Sequence, residues 1–347
     1  MAFLFYNYFY MTNEHNACFV IPFIKREKDE ICIKKFLKSA QIYKMTNYLY
    51  FIIDDIETEN YIKSFDKNLK TILFDLEETT VKKYKMCCKS NIVTMKKWYG
   101  VQKLYDKYDY IAVIDDDTLF LKQFNPYDLF DEIWKNKTSF FKNRCSLNHS
   151  LFLRNCAFAC GLENNLILKK ETGDFNYSCW FNDIPVYKSE GLEDFFNWID
   201  NTETLTGNTI RDNVILNYLC FDYWIYWFWL ICYKGLTSES TEMCGDNSIM
   251  EDICTCQRDI NYINNALDRM EHPLWEDVTL DKRVLLDNRK RIFEKISDIE
   301  KVTQTHWTPR KYKDTKDIIK NDNIVMQFHI DRADEKILLS GIEFRIK

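Results

Sequence analysis

The chain has 347 residues, which exceeds a typical compact domain and allows either one large domain or two fused ones. Hydrophobic residues make up 46% of the sequence, enough to build a sizeable core. The formal net charge of -6 combines 53 acidic with 47 basic residues, so the sequence lacks the basic excess of a dedicated nucleic-acid binder. We therefore expect no nucleic-acid partner.

The thirteen cysteines bear on the compartment in which the protein works. Their spacings, such as Cys156 to Cys160 and Cys254 to Cys256, include no CxxC pair of the zinc-binding type. The aromatic stretch 3–10 lacks the basic region and the cleavage site of a signal peptide. We expect mostly reduced, buried thiols and a cytoplasmic protein.

Strand-like and helix-like segments alternate through the first third of the chain. The apolar runs 17–23, 48–53 and 71–74 predict three buried strands, and 29–44 has the apolar spacing of an amphipathic helix. This alternation predicts an α/β fold with a mostly parallel sheet and helices on both faces. In such sheets, ligands bind beyond the carboxyl ends of the strands.

A second helix is predicted over 90–107. It contains Gly100, which weakens a helix by about 1 kcal/mol relative to alanine and therefore suggests a local packing reason. One of the lysines Lys96, Lys97 and Lys103 could supply a cation to a diphosphate. Alternatively, the three lysines form an ordinary solvated face.

Three consecutive acids, Asp115, Asp116 and Asp117, follow the apolar run 110–114, which predicts a fourth buried strand. Carboxylates at a buried strand end need a partner, and a metal ion is the partner we predict. In an extended chain, Asp115 and Asp117 project to one side and Asp116 to the other. Two carboxylates suit Mg²⁺ or Mn²⁺ and leave coordination positions for phosphate oxygens.

Two other polar or special residues also fall at predicted strand ends. Pro22 closes the first apolar run, and Asp54 follows the second. Because parallel strands present their carboxyl ends at one edge, we expect both residues to share a crevice with the three acids.

The remainder of the chain has a less regular pattern. Asn125 and Ser189 are predicted helix N-caps. Pro185 predicts that its segment is an edge strand or a loop, because proline has no backbone N–H to donate within a sheet. The further predicted elements are a helix over 126–134, strands over 139–141 and 166–168, an edge strand or loop over 177–187, helices over 190–200 and 281–302, and a strand over 323–331.

The aromatic run 215–233 approaches the length needed to span a bilayer. It carries Asn217 and Asp222, and a charge near the middle of a spanning helix is costly. We predict a buried or surface-docked helix. Peripheral membrane contact is a second possibility, because a membrane interface also favours aromatic side chains.

The apolar strand that ends in Asp-x-Asp at Asp115 to Asp117, after two or three strand–helix units, resembles the GT-A class of nucleotide-sugar glycosyltransferases. The stretch 98–104 followed by 110–120 is similar to a poorly characterised bacterial and viral branch of DXD-containing glycosyltransferases. The resemblance covers roughly residues 15–130.

The resemblance implies a Rossmann-like GT-A fold with a helical acceptor-side and C-terminal portion. Residues 1–135 would form the half that binds the nucleotide sugar, and 136–347 the acceptor-binding half, fused into one globule. The implied activity is metal-dependent transfer of a hexose or related sugar from a UDP- or GDP-sugar, with UDP favoured. The acceptor would be a glycan, lipid or protein.

The resemblance also implies roles for individual residues. Asp117 would ligate Mn²⁺ or Mg²⁺, Asp115 would assist through the metal or the donor ribose, and His329 is the candidate to complete the metal shell. The residues expected to hold the donor are Pro22, Lys25, Asp54, Lys96, Gln102, Asp115 and Asp116.

The acceptor side would need a carboxylate as catalytic base if the enzyme inverts configuration. We favour Asp183 because of its turn context, with Glu190, Glu193 and Asp194 as alternatives. Each of them can also be an ordinary surface or capping acid. A retaining enzyme would need none of them as a base.

Two other classes of protein compete with this interpretation. A haloacid-dehalogenase-type phosphohydrolase also uses Asp-x-Asp after a buried strand. Here Thr118 stands where that class has glycine, and the motif is not on an early strand. In a non-catalytic, membrane-associated binding protein, the acids would only end a strand. A requirement for Mn²⁺ or Mg²⁺ separates the transferase from such a binding protein.

Overall fold

The computed structural model describes residues 16–25, 30–75, 89–136, 142–143, 151–172, 178–179, 184–216, 220–237, 290, 324–327 and 341–343. The strands in these ranges are β1 (Ala17–Pro22), β2 (Leu49–Ile53), β3 (Lys70–Leu73), β4 (Tyr110–Val113), β5 (Leu119–Phe120), β6 (Lys142–Asn143), β7 (Ser178–Cys179), β8 (Val186–Lys188), β9 (Ile324–Gln327) and β10 (Gly341–Glu343). The α-helices are α1 (Glu30–Ile42), α2 (Ile56–Phe65), α3 (Lys89–Leu104), α4 (Pro126–Asn136), α5 (Leu151–Ala159), α6 (Leu166–Thr172), α7 (Leu192–Asn201), α8 (Ile210–Leu216) and α9 (Asp222–Lys234).

A five-stranded sheet with the order β3-β2-β1-β4-β8 forms the centre of the fold. The first four strands in this order are parallel, and β8 runs antiparallel at one edge. The predicted α/β architecture with a mostly parallel sheet is therefore confirmed. Pro185 lies just before β8, which agrees with the predicted edge position.

Helices cover both faces of this sheet, as predicted. Side chains alternate along a strand, so Cys18 and Val20 of β1 lie in one apolar core and Phe19 and Ile21 in the other. The first core receives side chains from α3 and from α5 to α9. The second receives them from α1, α2 and α4.

The order of the strands creates a switch point. From β1 the chain builds outward through β2 to β3, and α3 then returns it to β4 on the other side of β1. In open α/β sheets, ligands bind at the carboxyl ends of the strands where the order reverses. Here that place lies between β1 and β4.

Gly100 allows α3 to lie close to the sheet. A Cβ atom at this position would come within 2.6 Å of Cγ1 of Val20 and 2.8 Å of Cδ1 of Ile52. Both neighbours are fully buried. The local reason that the sequence suggested for this glycine is therefore close packing of helix on sheet.

The aromatic run forms the end of α8 and nearly all of α9. In α9, the first ten residues from Asp222 to Ile231 are buried. Within the described ranges, no helix combines the length and the apolar character required to cross a bilayer.

Two local predictions are wrong. Residues 166–168 begin α6 rather than forming a strand. The prediction was wrong because so short an apolar run does not distinguish the apolar spacing of a helix from that of a strand. Ser189 does not cap a helix over 190–200: its hydroxyl donates to the carbonyl of Tyr108, and Gly191 precedes α7 with φ 84°.

Some predicted elements fall outside the described residues. These are the strand over 139–141 and the helix over 281–302, of which residue 290 alone is described and is helical. The strand predicted over 323–331 contains β9, which pairs with β5 and β10 in a second sheet.

The strands β8 and β9 of the predicted acceptor half pair with strands of the first half. The proposed boundary at 135/136 stays a prediction.

Candidate functional site

The carboxyl ends of β1, β2 and β4 meet at one edge of the central sheet. Pro22 is the last residue of β1 and pairs with Ile52 of β2, while Val20 pairs with Val113, the last residue of β4. Asp54 follows β2 directly. The structure therefore brings the three stretches named from the sequence to the switch point of the sheet.

The acids at this edge lie in a turn rather than in a strand. Ile114 still donates its N–H to the carbonyl of Val20, at 3.0 Å, but β4 has ended at Val113, and Asp116 and Asp117 form a turn before β5. The expected alternation of an extended chain is therefore wrong here, because it requires strand backbone. The Asp115 side chain is 47% exposed, whereas Oδ1 of Asp117 is enclosed from solvent.

Lys97 of α3 places a cation against this turn. Its Nζ lies 3.3 Å from Oδ1 of Asp115, and its side chain is only 14% exposed. Burial by itself would lower the pKa of Lys97, but the carboxylates of Asp115 and Asp222 outweigh burial and raise that pKa above its ordinary value. The ammonium is thus charged at neutral pH.

Lys96, the neighbouring residue, is fully buried and ties the ends of β1 and β2 together. Its Nζ donates to the carbonyl of Phe23 at 2.6 Å and to Oδ2 of Asp54 at 2.7 Å. A buried ammonium needs such partners. The contacts fix Asp54, whose side chain is 40% exposed, at the same edge.

Lys25 lies just beyond β1 and turns toward α2. Its Nζ donates to Oε1 of Glu57 at 2.8 Å and lies 5.2 Å from the ring centre of Tyr61. Tyr61 in turn stacks on Phe23, with a ring-centre separation of 6.2 Å. These side chains lie beside the end of β1, where Phe23 donates its N–H to the carbonyl of Ile52 in β2 at 3.0 Å.

Gln102 lies elsewhere. It is six residues beyond Lys96 on α3, a rise of about 9 Å along the helix. Its side chain is exposed and accepts a hydrogen bond from Nη2 of Arg211 at 3.4 Å. The structure therefore separates Gln102 from the other predicted donor-site residues.

Two predicted site residues, Asp183 and His329, lie outside the described residues. The chain just after Asp183 is described, and the carbonyl of Pro185 there accepts the N–H of Val113 at 2.9 Å. Gln327, two residues before His329, pairs with Leu119 of β5. Both neighbours thus lie close to the segment that carries the acids.

The alternative bases lie at the opposite edge of the sheet. The N–H of Ser189 donates to the carbonyl of Asp109, just before β4 begins, and Glu190 follows. The carboxylate of Glu190 pairs with Lys188 at 2.5 Å, and that of Asp194 pairs with Lys234 at 3.0 Å. Glu193 belongs to the same first turn of α7. These acids are remote from the acidic turn.

The acidic turn can hold a divalent cation through Asp115 and Asp117. Their oxygens match the preference of Mg²⁺ and Mn²⁺, which are commonly bound through one or two carboxylates together with substrate phosphates. Across the described ranges, no three His, Cys, Asp or Glu side chains converge as a complete metal cage.

Sequence reasoning missed Asp222 as a candidate for the site. It is fully buried at the start of α9, and the hydroxyl of Tyr187 donates to its Oδ2 at 2.6 Å. Burial raises the pKa of Asp222, and this effect is opposed by Lys97 and by the Tyr187 hydrogen bond. The signal in the sequence was a single acid within an aromatic run.

No protein-family model and no curated protein matches this sequence. Among solved structures, the chain is similar to the mannosyltransferase Ktr4p from S. cerevisiae, with 16% sequence identity and a TM-score of 0.25. The match covers 51% of this chain and 56% of that chain, so it spans about half of the mannosyltransferase structure. A similarity of this size assigns neither family nor activity.

Proposed function

We propose that this protein is a metal-dependent glycosyltransferase that moves a sugar from a nucleotide-sugar donor to a carbohydrate-containing acceptor. The observation that carries the proposal is the ion pair between Lys97 and Asp115, in the acidic turn at the switch point between β1 and β4. The resemblance of this strand and its Asp-x-Asp motif to GT-A enzymes supports the same function.

The acidic turn and Lys97 would bind the donor diphosphate. Asp117 and Asp115 would hold Mn²⁺ or Mg²⁺, with the enclosed Oδ1 of Asp117 as the better-shielded ligand atom. When bound, the cation supplies Lewis-acid stabilisation of the leaving diphosphate. Lys97 adds a second positive charge beside the turn, and its raised pKa keeps it protonated.

The nucleoside would lie on the β2 side of the same edge. Asp54 is held by Lys96 yet is partly exposed, as a group that accepts hydrogen bonds from ribose hydroxyls must be. Tyr61 and Lys25, which lie together beside the end of β1, would offer an aromatic face and a cation. A UDP- or GDP-sugar carries the base, ribose and diphosphate that these groups would contact.

For an inverting reaction, Asp183 remains our proposed base, and its support is the position of Pro185 beside the end of β4. We also propose a glycan, lipid or protein acceptor, a cytoplasmic location and peripheral contact with a membrane. His329 is proposed to complete the metal shell, supported by the pairing of Gln327 with Leu119.

The first test is a panel of UDP-, GDP- and CMP-sugars with and without Mn²⁺, read as thermal stabilisation and as release of the nucleotide. One donor is expected to stabilise the protein and to release nucleotide only when the metal is present. Asp117→Ala should lower this release by at least about a hundredfold, as expected when a group that stabilises transition-state charge is lost.

The matched control is Asp106→Ala, which removes an exposed acid near the opposite end of β4. It should leave metal-dependent release unchanged. If no donor in the panel gives either stabilisation or metal-dependent release, the proposed function is wrong. Hydrolysis of simple phosphate esters that depends on Asp115 would favour the phosphohydrolase instead.

A further inference from the structure

Asp222 is an ionisable side chain to which the proposed donor site assigns no role. It lies at the first position of α9, with no exposed surface, among buried aromatic residues. Carboxylates in such surroundings are costly unless other groups compensate the charge. Its presence therefore calls for a cationic or hydrogen-bonding partner with a specific task.

One carboxylate oxygen of Asp222 has a side-chain donor. The hydroxyl of Tyr187 donates to Oδ2 at 2.6 Å. Among the described residues, no side chain donates a hydrogen bond to Oδ1, which is enclosed from solvent. A buried acceptor without a donor has room for one more interaction.

Lys97 is a cation whose charge acts on Asp222. The helix α9 packs against α3, which carries Lys97. The ammonium of Lys97 lies 3.3 Å from Oδ1 of Asp115, and the negative charges of both Asp115 and Asp222 act on it. One largely buried ammonium thus pairs with Asp115 of the acidic turn and is also attracted by the carboxylate of Asp222 at the start of α9.

We propose that Asp222 is a positioning residue that draws the Lys97 ammonium away from Asp115 and so weakens its competition with a divalent cation at Asp115 and Asp117. The inference rests on the metal site of the proposed function. Both the ammonium and the metal are attracted to Asp115. Displacing the ammonium costs less when a second carboxylate can accept it.

The test measures the binding of Mn²⁺ alone, by the loss of the electron paramagnetic resonance signal of free Mn²⁺. Asp222→Asn should weaken Mn²⁺ binding by about fivefold or more, a usual size for coupling between two sites. Lys97→Met should tighten Mn²⁺ binding, because it removes the competing charge. In the Lys97→Met background, adding Asp222→Asn should change the affinity little.

Lys103→Met is the matched control, since it removes the same charge from an exposed position of α3, where the ammonium lies 5.2 Å from the ring centre of Tyr99. It should tighten Mn²⁺ binding much less than Lys97→Met. Equal tightening by the two lysine variants would overturn the inference, because a general charge effect would then explain both.

A purely structural role for Asp222 gives a different result. It would lower the melting temperature in both backgrounds and leave Mn²⁺ affinity unchanged, or change it equally in both, and either result overturns the inference. If Asp222→Asn does not fold, the Mn²⁺ affinity of Lys97→Met is the deciding measurement. Unchanged or weaker Mn²⁺ binding in that variant overturns the proposal.

The inference and the proposed function can fail separately. Wild-type protein that does not bind Mn²⁺, or binds it equally well after Asp117→Ala, refutes the metal site and with it the inference. Mn²⁺ binding that depends on Asp117 but is indifferent to Asp222 refutes the inference alone.

Discussion

Lys96 and Lys97 are adjacent in sequence but have different surroundings. Lys96 is bound by the carbonyl of Phe23 and by Asp54, so it joins the ends of two strands. Lys97 lies against Asp115 and is influenced by Asp222. The sequence identified both lysines as possible cations, but their division of roles depends on partners from distant segments. No local pattern could have revealed those partners.

Asp131 of α4 provides a test of pH dependence at a single residue. Pairing with Lys135, and secondly a hydrogen bond of 3.0 Å from the hydroxyl of Tyr110, lower the pKa of Asp131 below its ordinary value of 3.8. Because the folded-state pKa is depressed, this carboxylate stabilises the fold above the unfolded-state pKa. The stabilisation is lost as the pH falls through the lowered pKa.

Asp131→Asn should therefore reduce the free energy of unfolding at pH 6, by at most about 1 kcal/mol because the pair is partly exposed. The difference from wild type should shrink as the pH is lowered from about 4 toward 3. Urea denaturation across this pH range measures it. Asp128→Asn, at an exposed position of the same helix, is the control. A difference that stays constant with pH would contradict the assignment.

At the scale of elements, the alternating strands and helices of the first third of the chain were predicted well, whereas one short run and one cap in the predicted acceptor half were not. The apolar runs that became β1 and β2, and the helical spacing of α1, agree with the structure to within about two residues, the usual uncertainty of element boundaries. The strand predicted over 166–168 was wrong because these three residues form a turn of helix. In that turn Leu168 is buried, while Leu166 and Ile167 are exposed. The cap predicted at Ser189 failed because its hydroxyl has a tertiary partner, Tyr108.

Gly100→Ala tests the close contact of α3 with the sheet. The new Cβ would approach Cγ1 of Val20 to 2.6 Å, and overpacking of this kind costs about 2 kcal/mol. The gain in helix propensity offsets about 1 kcal/mol of this cost. We expect a net loss of about 1 kcal/mol in the free energy of unfolding, measured by urea denaturation.

Lys103→Ala, at an exposed site of the same helix, is the control for that experiment and should change stability by less than about 0.5 kcal/mol. If Gly100→Ala proved as stable as wild type or more stable, the helix would have room to move away from the sheet. Close packing against the sheet would then not explain why residue 100 is glycine.

At the scale of the whole molecule, the alternation of strands and helices was enough to predict the α/β class and the meeting of Pro22, Asp54 and the three acids at one edge of the sheet. It did not predict a role for Asp222, because the charge of Asp222 acts on Lys97 only through the packing of α9 on α3. Gln102 was assigned to the site from the resemblance, yet it contacts Arg211. Sequence reasoning thus predicted which segments meet at this edge of the sheet, but not the side-chain partners of individual residues.

The two predicted halves share one core, which gives a test of the domain boundary. Val20 and Val113 of the first half lie in the same apolar cluster as Leu153, Phe195 and Trp224 of the second. Residues 1–135 expressed alone would expose that sheet face. We expect them to show no cooperative thermal unfolding, in contrast to the full chain. A cooperative transition in the fragment would mean that the first half is an independent domain.

The pairing of β1 with β4 has a consequence for folding kinetics. Ala17 lies beside Tyr110 in that pair, so two strands far apart in sequence must meet before the acidic turn reaches the end of β1. Contacts between distant segments carry a high cost of chain closure and slow the search for the native topology. A newly synthesised chain can assemble β1, β2 and β3 early, but a ligand that requires both Pro22 and Asp115 can bind only after the fourth parallel strand has joined them.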